Sequence, residues 1–321
     1  MPEYAVLRGS ALDILRELVG PVNMTVTSPP YWRLRDYKHP QQLGQEETPK
    51  AYIENLCLIF DEVKRITEPD GTLWINIDDT YRDKQLTGIP WMLAFAMKQR
   101  GWLWRAHIVW HKLGGKPEPC KDRPSRNHET ILLFSKGKHY FYDYDAILEP
   151  HTNPWAIDCI KKAQESGQTE RPRSNPFSKE ERRAKGTKGI TRAEYGVLMN
   201  PKGKNKRSVW AIKTAWDKRN HFAIFPDDLV KPCILAGCPQ GGWVLDPFCG
   251  SGTSGKVALE NGRNFIGIEL VDASADLADE TLKNIQFPVD RLPTVCESAA
   301  DSGETALPHE VTTDMQHEQT S

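Results

Sequence analysis

The chain has 321 residues, with 42 Lys or Arg against 43 Asp or Glu, for a formal net charge of −1. This length supports one large domain or two ordinary ones with a core that needs no staples. The overall balance excludes a uniformly basic polyanion binder, but it is an average. Ile160 to Asn220 holds 17 basic and 6 acidic residues, while Cys296 to Ser321 holds 6 acidic residues and no Lys or Arg. A basic middle between less basic flanks points to a polyanionic partner for that one segment.

No apolar run reaches the ~18 residues of a membrane-spanning helix, so no membrane association is expected. Met1 to Ser10 lacks a basic start followed by an apolar stretch, so no secretory signal is expected. The seven cysteines never form Cys-x-x-Cys, and no His-x-x-x-His pair is read as marking a metal site: His107 and His111 have that spacing but flank Ile108-Val109-Trp110 in an apolar strand-like run. That usage fits a reducing cytoplasm and no metal centre.

Along the chain, Tyr4 to Leu7 is a short apolar run, and Ser10 is placed to cap a helix through Leu18. Val22 to Thr27 reads as a strand running into Ser28-Pro29-Pro30-Tyr31-Trp32. Two consecutive prolines end regular structure there, because neither donates to a ladder. Lys50 to Ile66 has apolar residues at helical spacing, and Glu68-Pro69-Asp70-Gly71 reads as a turn. Thr72 to Ile77 is a strand, Ile89 to Gln99 a helix opened by Pro90 and closed by Gly101, and Trp104 to Trp110 and Thr130 to Phe134 two more strands. From Pro150 to Ser208 the chain is polar, basic and rich in Pro, Gly and Ser, with little periodicity, and part of it reads as loop or as disordered without a ligand. Order returns from Val209: Trp243 to Leu245 is a buried strand, Thr253 to Asn261 a helix, Asn264 to Glu269 a strand and Ala273 to Ile285 a helix. Strand–turn–helix–strand units of this length imply an α/β protein with a mostly parallel, doubly wound sheet. The segment after Pro293 reads as an acidic, disordered tail.

Two motifs carry chemistry. In Asp246-Pro247-Phe248-Cys249-Gly250-Ser251-Gly252-Thr253 a strand ends in an acid and a Gly-rich turn opens a helix. Glycines let the backbone approach a ligand closely, and an acid at a strand's carboxyl end receives an ammonium or a hydroxyl group. Glu269 ends the next strand, 23 residues on, where doubly wound folds commonly grip a ribose diol. Gly250 to Lys256 matches the first seven positions of a P-loop, but Val257 replaces the hydroxyl residue that holds magnesium. The second motif is Thr27-Ser28-Pro29-Pro30-Tyr31-Trp32. The exocyclic amino group of a base is a poor nucleophile because its lone pair is delocalised into the ring. A side-chain oxygen at Ser28 and a rigidly held Pro29 carbonyl are suited to accept its hydrogens and draw the nitrogen toward tetrahedral geometry. Tyr31 is placed to stack on a base pulled from a duplex. Taken alone, the first motif has a lesser reading as a simple tight βα turn, and the second is as readily a proline turn beside a packed tyrosine.

Together they resemble the amino-group DNA methyltransferases that use S-adenosyl-L-methionine. Ser28-Pro29-Pro30-Tyr31 resembles the catalytic tetrapeptide, and Asp246 to Thr253 the methionine-moiety loop with its Phe-x-Gly-x-Gly core. Arg263 to Glu269, His128 to Lys136 and His221 to Pro226 resemble further blocks. With the catalytic motif first and the basic segment between, the order resembles the β group, a permuted Rossmann-like methyltransferase fold. The resemblance implies a catalytic half at 1–149, a basic target-recognition insert at 150–208, a cofactor-binding half at 209–292 and the tail at 293–321. It implies that Asp246 binds the methionine part of the cofactor, that Phe248, Gly250, Gly252 and Thr253 shape its loop, and that Glu269 holds the ribose hydroxyls. It implies that Ser28, Pro29, Pro30 and Tyr31 hold a flipped base. Many relatives carry Gly-Asp where this chain has Gly9-Ser10, which leaves the adenine contact open.

Ser at the first catalytic position goes mostly with N4 of cytosine, and Asp or Asn there with N6 of adenine. The expected activity is cytosine-N4 methylation of double-stranded DNA, with adenine N6 as the alternative. Expected partners are the duplex and a restriction endonuclease acting on the same site. Cytosine C5 chemistry needs a Cys nucleophile, and Cys120 follows Pro119 in a charged loop without the expected Gln. Trp210 and Trp216 lie in the basic region and are read as packing against the cofactor lobe. A non-catalytic DNA-binding protein of the same fold, or an RNA or protein methyltransferase, are the rival readings.

Overall fold

A computed structural model describes residues 2–114, 118–167, 197–217, 222–283 and 285. The expected tail at 293–321, the side chain of Trp216 and much of the basic insert lie outside the described residues. Eight strands form one sheet, in the order β1 (Tyr4–Arg8), β12 (Asn264–Glu269), β11 (Trp243–Asp246), β2 (Val22–Thr27), β3 (Thr67–Ile77), β7 (His128–Ser135), β6 (Leu103–Leu113) and β8 (Val209–Lys213). Among them β7 alone runs against its neighbours β3 and β6; the other pairings are parallel. Two small hairpins, β4 (Tyr81–Arg82) with β5 (Gln85–Leu86) and β9 (Ala215–Asp217) with β10 (Phe222–Ile224), stand apart.

Helices cover both faces of the sheet, because its strands alternate which side chains they send each way. Leu73, Ile75 and Ile77 of β3 and Leu132 and Phe134 of β7 share one core with α1 (Ala11–Glu17), α2 (Pro49–Ile66) and α3 (Ile89–Gln99). Trp74, Ile131 and Leu133 share the other with α5 (Asp227–Gly237), α6 (Thr253–Glu260) and α7 (Asp272–Lys283). The sheet is therefore the doubly wound, mostly parallel α/β architecture that the sequence implied.

Helix α2 shows how local signals set an element. Thr48 caps it, its side chain accepting from Ala51 N at 3.2 Å, and Pro49 occupies the first turn, where its missing N–H costs nothing. Ile53, Leu56, Cys57, Phe60 and Val63 then fall on one stripe and are buried.

Four features depart from the sequence reading. Ser10 holds the N-cap position of α1, but its side chain makes no capping bond. Glu68 to Gly71 lies within the range of β3 as a bulge: Val22 pairs with Thr67 and Met24 with Thr72. Gly71 suits that bulge, since a Cβ there would lie 2.8 Å from Asn23 O. Part of the segment read as loop is helical, α4 (Pro154–Glu165), with Asn153 capping Trp155 N at 3.0 Å and Ala156, Cys159, Ile160 and Ala163 buried. Finally, β8 opens the expected cofactor-binding half yet pairs with β6 at the sheet's far edge, where Trp210 stands in register with Trp110; both belong to the core that also holds residues of α5 and α6.

The end of α5 comes close to β3. Gly237 O accepts from Thr72 Oγ1 at 3.2 Å, and a Cβ on Gly237 would lie 2.6 Å from Trp74 Nε1 and 2.8 Å from Thr72 Oγ1. Gly237→Ala is expected to lower stability by about 1–3 kcal/mol through overpacking, read as a fall in Tm with unchanged far-UV circular dichroism.

Candidate active site

The sheet changes winding direction between β11 and β2. From β11 the chain crosses through α6 to β12 on one side; from β2 it crosses through α2 to β3 on the other. Ligands of open α/β sheets bind at the carboxyl ends of the strands flanking such a switch point. Asp246 is the last residue of β11 and Ser28 is the first beyond β2, so both sequence motifs arrive there.

They are also joined directly. Thr27 Oγ1 donates to Asp246 Oδ1 at 2.6 Å across 219 residues of chain. Phe248 N donates to the same oxygen at 3.0 Å, and Ser254 Oγ donates to Oδ2 at 2.5 Å. Asp246 is buried, and burial pushes its pKa up to about 6 despite these bonds. Each carboxylate oxygen has two lone pairs. Oδ1 has used both and Oδ2 one, leaving room for one further donor. The α6 hydroxyl that bonds Asp246 is Ser254; Thr253 sits half-buried at the first position of α6.

Glu269, at the end of β12, accepts from Gly250 N through Oε2 and from Val271 N through Oε1, both at 2.9 Å. Burial raises its pKa as well. One lone pair stays open on each oxygen, the pattern a vicinal diol needs. Gly250 and Gly252 have φ of +54° and +83°, so the loop between the two acids takes a path that disfavours side chains. Nothing lies within 4 Å of a Cβ built on Gly250, whereas one on Gly252 would meet Ala278 at 3.1 Å. Lys256, the P-loop-like lysine, pairs with Asp227 at 2.6 Å.

On the other side of Thr27 the tetrapeptide meets a polar cluster that the sequence reading missed. Ser28 Oγ donates to Tyr31 OH at 3.2 Å, and Tyr31 OH donates to Glu129 Oε2 at 2.6 Å. Asn76 Nδ2 reaches Tyr31 OH at 2.8 Å and Glu129 Oε2 at 2.7 Å, while its Oδ1 is buried with no hydrogen-bond partner among the described residues. Glu129 Oε1 pairs with Lys112. Burial, and then the Glu129 charge, push Asp78 up to about 7, against the pull of Arg126 at 3.1 Å. Burial and the Glu129 charge also raise the Tyr31 phenol well above its usual range, so it is a neutral hydroxyl. Pro29 is buried, and its carbonyl accepts no hydrogen bond among the described residues; the Pro30 carbonyl accepts from Tyr52 OH at 2.7 Å. The signals for this cluster were an Asn within the apolar run Trp74-Ile75-Asn76-Ile77 and an acid opening the apolar strand at Glu129. Cys120, half-buried, lies against Glu118 and Arg123.

The sequence profile of DNA methylases of the N6/N4 class matches residues 22–280. The chain belongs to that family. It is 36% identical to the type II methyltransferase M.XycI of Xanthomonas campestris pv. cyanopsidis, over 91% of this chain and 93% of that protein. It is 34% identical to M.Cfr9I of Citrobacter freundii, over 89% and 90%. Among solved structures, PvuII DNA methyltransferase, described as cytosine-N4-specific, superposes with a TM-score of 0.60 at 17% identity, covering 89% of this chain and 92% of that one. A Thermus thermophilus protein, described as a candidate DNA modification methylase and complexed with S-adenosyl-L-methionine, gives 0.56 at 24% identity, covering 90% and 99%. These likenesses show the Rossmann-like methyltransferase fold. The chain is a type II DNA methyltransferase of the N4/N6 family, and S-adenosyl-L-methionine is that family's methyl donor. Type II methyltransferases act on DNA and belong to restriction–modification systems.

Asp246 sets a pH dependence of the unliganded enzyme. Its folded pKa lies above the ordinary carboxylate value of 3.8, so ionisation opposes folding: the stability it lends is complete below about pH 4 and lost as pH rises through about 6. Asn at this position still accepts from Thr27 and Phe248 through its carbonyl and donates to Ser254. Asp246→Asn is therefore expected to raise stability at pH 8 by up to about 3 kcal/mol. The gain should shrink toward zero near pH 4, as read by denaturant unfolding at both pH values.

Proposed function

We propose that this protein transfers a methyl group to the exocyclic N4 of cytosine in duplex DNA, after the base is rotated out of the helix. The observation that carries the reading is the Thr27–Asp246 hydrogen bond, which sets the tetrapeptide against the cofactor loop at the switch point. Cytosine is favoured over adenine N6 by Ser28 at the head of the tetrapeptide, following the resemblance.

The residues fit the cofactor. Two acids close together offer negative charge to a cationic ligand. The open lone pair of Asp246 suits the ammonium of its methionine part, and the two open lone pairs of Glu269 suit the ribose hydroxyls. Phe248, Gly250, Gly252 and Thr253 shape the loop between them, and the left-handed backbone at the two glycines brings peptide groups close to the ligand. When bound, S-adenosyl-L-methionine supplies an electrophilic methyl group.

The protein's own task is to make an amide-like amino group nucleophilic. Ser28 Oγ and the Pro29 carbonyl accept its two hydrogens, which localises the lone pair on nitrogen. Pro29 and Pro30 fix that carbonyl by their locked φ. Tyr31 is tethered through its hydroxyl to Glu129, which sets the ring as a stacking surface for the flipped base.

The basic insert at 150–208 is assigned to target recognition, between a catalytic half at 1–149 and a cofactor half at 209–292. Within its described part, Lys204, Lys206 and Arg207 gather around Glu149, and Lys206 lies over the Trp210 ring. Cations of this insert would position phosphates, and a few side chains would read base edges. The enzyme would act in the cytoplasm beside an endonuclease that cuts the same unmodified site.

Nucleoside mass spectrometry of DNA from expressing cells tests the base: N4-methylcytosine is expected, and N6-methyladenine would replace this reading by its alternative. Ser28→Ala should bind cofactor normally and lose about 100-fold or more in single-turnover rate; a normal rate would remove Ser28 from the chemistry. Asp246→Asn should lose cofactor affinity, and wild-type affinity should weaken as pH falls below about 6 and Asp246 takes up a proton. DNA affinity should fall steeply with salt, since several phosphate contacts release several counterions; a flat response would place the basic insert elsewhere.

A further inference from the structure

We propose that Glu129 is the terminal proton acceptor of a relay that runs from the target amino group through Ser28 and Tyr31, and that it orients both hydroxyls for the reaction. The inference rests on the assignment of Ser28 to the amino group and adds a residue outside the tetrapeptide.

Hydrogen-bond polarity fixes the direction. An ionised carboxylate only accepts, so Tyr31 OH must donate to Glu129 Oε2, at 2.6 Å. With its hydrogen spent there, the phenol oxygen accepts from its other two neighbours, Asn76 Nδ2 at 2.8 Å and Ser28 Oγ at 3.2 Å. Asn76 cannot be turned over, because its carbonyl oxygen would then face Glu129 Oε2 at 2.7 Å. The Ser28 hydroxyl hydrogen is thus committed to Tyr31, and Ser28 meets the substrate with lone pairs only. Without Glu129 the phenol is free to donate to Ser28, the serine hydrogen turns outward, and the oxygen meets an N–H with an O–H.

The same path carries the proton that methylation must remove. The amino nitrogen uses its lone pair to bond the methyl carbon, and the electron pair of the broken carbon–sulfur bond stays on sulfur. The nitrogen then holds one hydrogen too many. It passes a proton to Ser28 Oγ, Ser28 passes its own to Tyr31, and Tyr31 passes its own to Glu129 Oε2. Ser28 and Tyr31 end as neutral hydroxyls, Glu129 ends as a neutral acid, and the base ends as a neutral methylamine. Tyr31 never becomes a phenolate, which its buried, acid-flanked position would strongly disfavour. Glu129 is itself buried, so a proton delivered there has left the reacting centre without entering water.

Glu129→Gln keeps an oxygen for Tyr31 but takes no proton. It should lower the single-turnover methylation rate by about 100-fold, with cofactor affinity and the fluorescence of 2-aminopurine at the target position unchanged. Tyr31→Phe should fall comparably, and the double variant should be no worse than the slower single one, since both cut one relay. Added formate should restore rate to Glu129→Ala and leave Glu129→Gln unaffected. A wild-type rate in Glu129→Gln, additive losses in the double variant, or losses mirrored in cofactor and base-flipping signals would each overturn the relay. Ser28→Ala run alongside separates the two levels: if it too is fully active, the active-site reading fails, and if it alone is slow, only the relay does.

Discussion

A buried carboxylate organises this molecule. Asp246 is held by Thr27 from β2, by Ser254 from α6 and by the backbone of its own loop. These three segments lie at opposite ends of the chain, and the strands that carry them become neighbours only when β11 inserts beside β2. Bringing an acid into that position costs free energy, as its raised pKa shows. A stability-driven fold would place a neutral side chain there. The three donors lower the cost without removing it, and a cationic ligand lowers it further. If Asp246 holds the cofactor as proposed, the site is strained electrostatically toward its ligand, a common condition where function and stability compete.

The permuted chain order follows from the same junction. A doubly wound sheet needs its switch strands adjacent in space, and nothing requires them adjacent in sequence. Here the N-terminal segment supplies β1 at one edge and β2 at the centre, and the C-terminal segment fills the space between them with β11 and β12. The long connection between β6 and β11 gives the sheet only β7 and the edge strand β8, and it is there that the basic excess falls. Near-neutrality of the whole chain thus hides a division of charge between segments.

How much of this was legible depended on the range over which each signal acts. Ile89–Gln99 was readable residue for residue, because Pro90 and Gly101 punctuate an apolar stretch. Asp227–Gly237 gave no helical signal, since Pro232 sits in its interior and removes a donor. Helix α4 carried the pattern Ala156, Cys159, Ile160, Ala163 behind an Asn153 cap, but the basic, Gly- and Pro-rich residues after it lowered the weight of the whole segment. The five-residue strand β8 has an edge position and alternating exposure, too short a pattern to distinguish from loop. Asp246, Glu269 and Ser28 were visible because each belongs to a local motif. Asn76, Glu129, Lys112 and Ser254 were not, because their roles exist only where β3, β6, β7 and α6 bring them to the motifs.

The two consecutive residues at the end of β2 explain why the halves of the site do not interfere. Successive side chains of a strand leave on opposite faces, and Thr27 and Ser28 continue that alternation: Thr27 bonds to the cofactor-side acid, Ser28 to the Tyr31 cluster. Asp246 on one side therefore receives the Thr27 hydroxyl directly, Glu129 on the other is reached from Ser28 through Tyr31, and the covalent bond between residues 27 and 28 fixes the spacing of the two hydroxyls. The prolines that follow keep it fixed, since Pro29 and Pro30 leave the backbone few conformations to relax into. A glycine at either position would let the carbonyl of residue 29 wander while both acids stayed in place. On the proposed reading, the rigidity that catalysis needs lies in the tetrapeptide's backbone, with the acids on either side supplying charge.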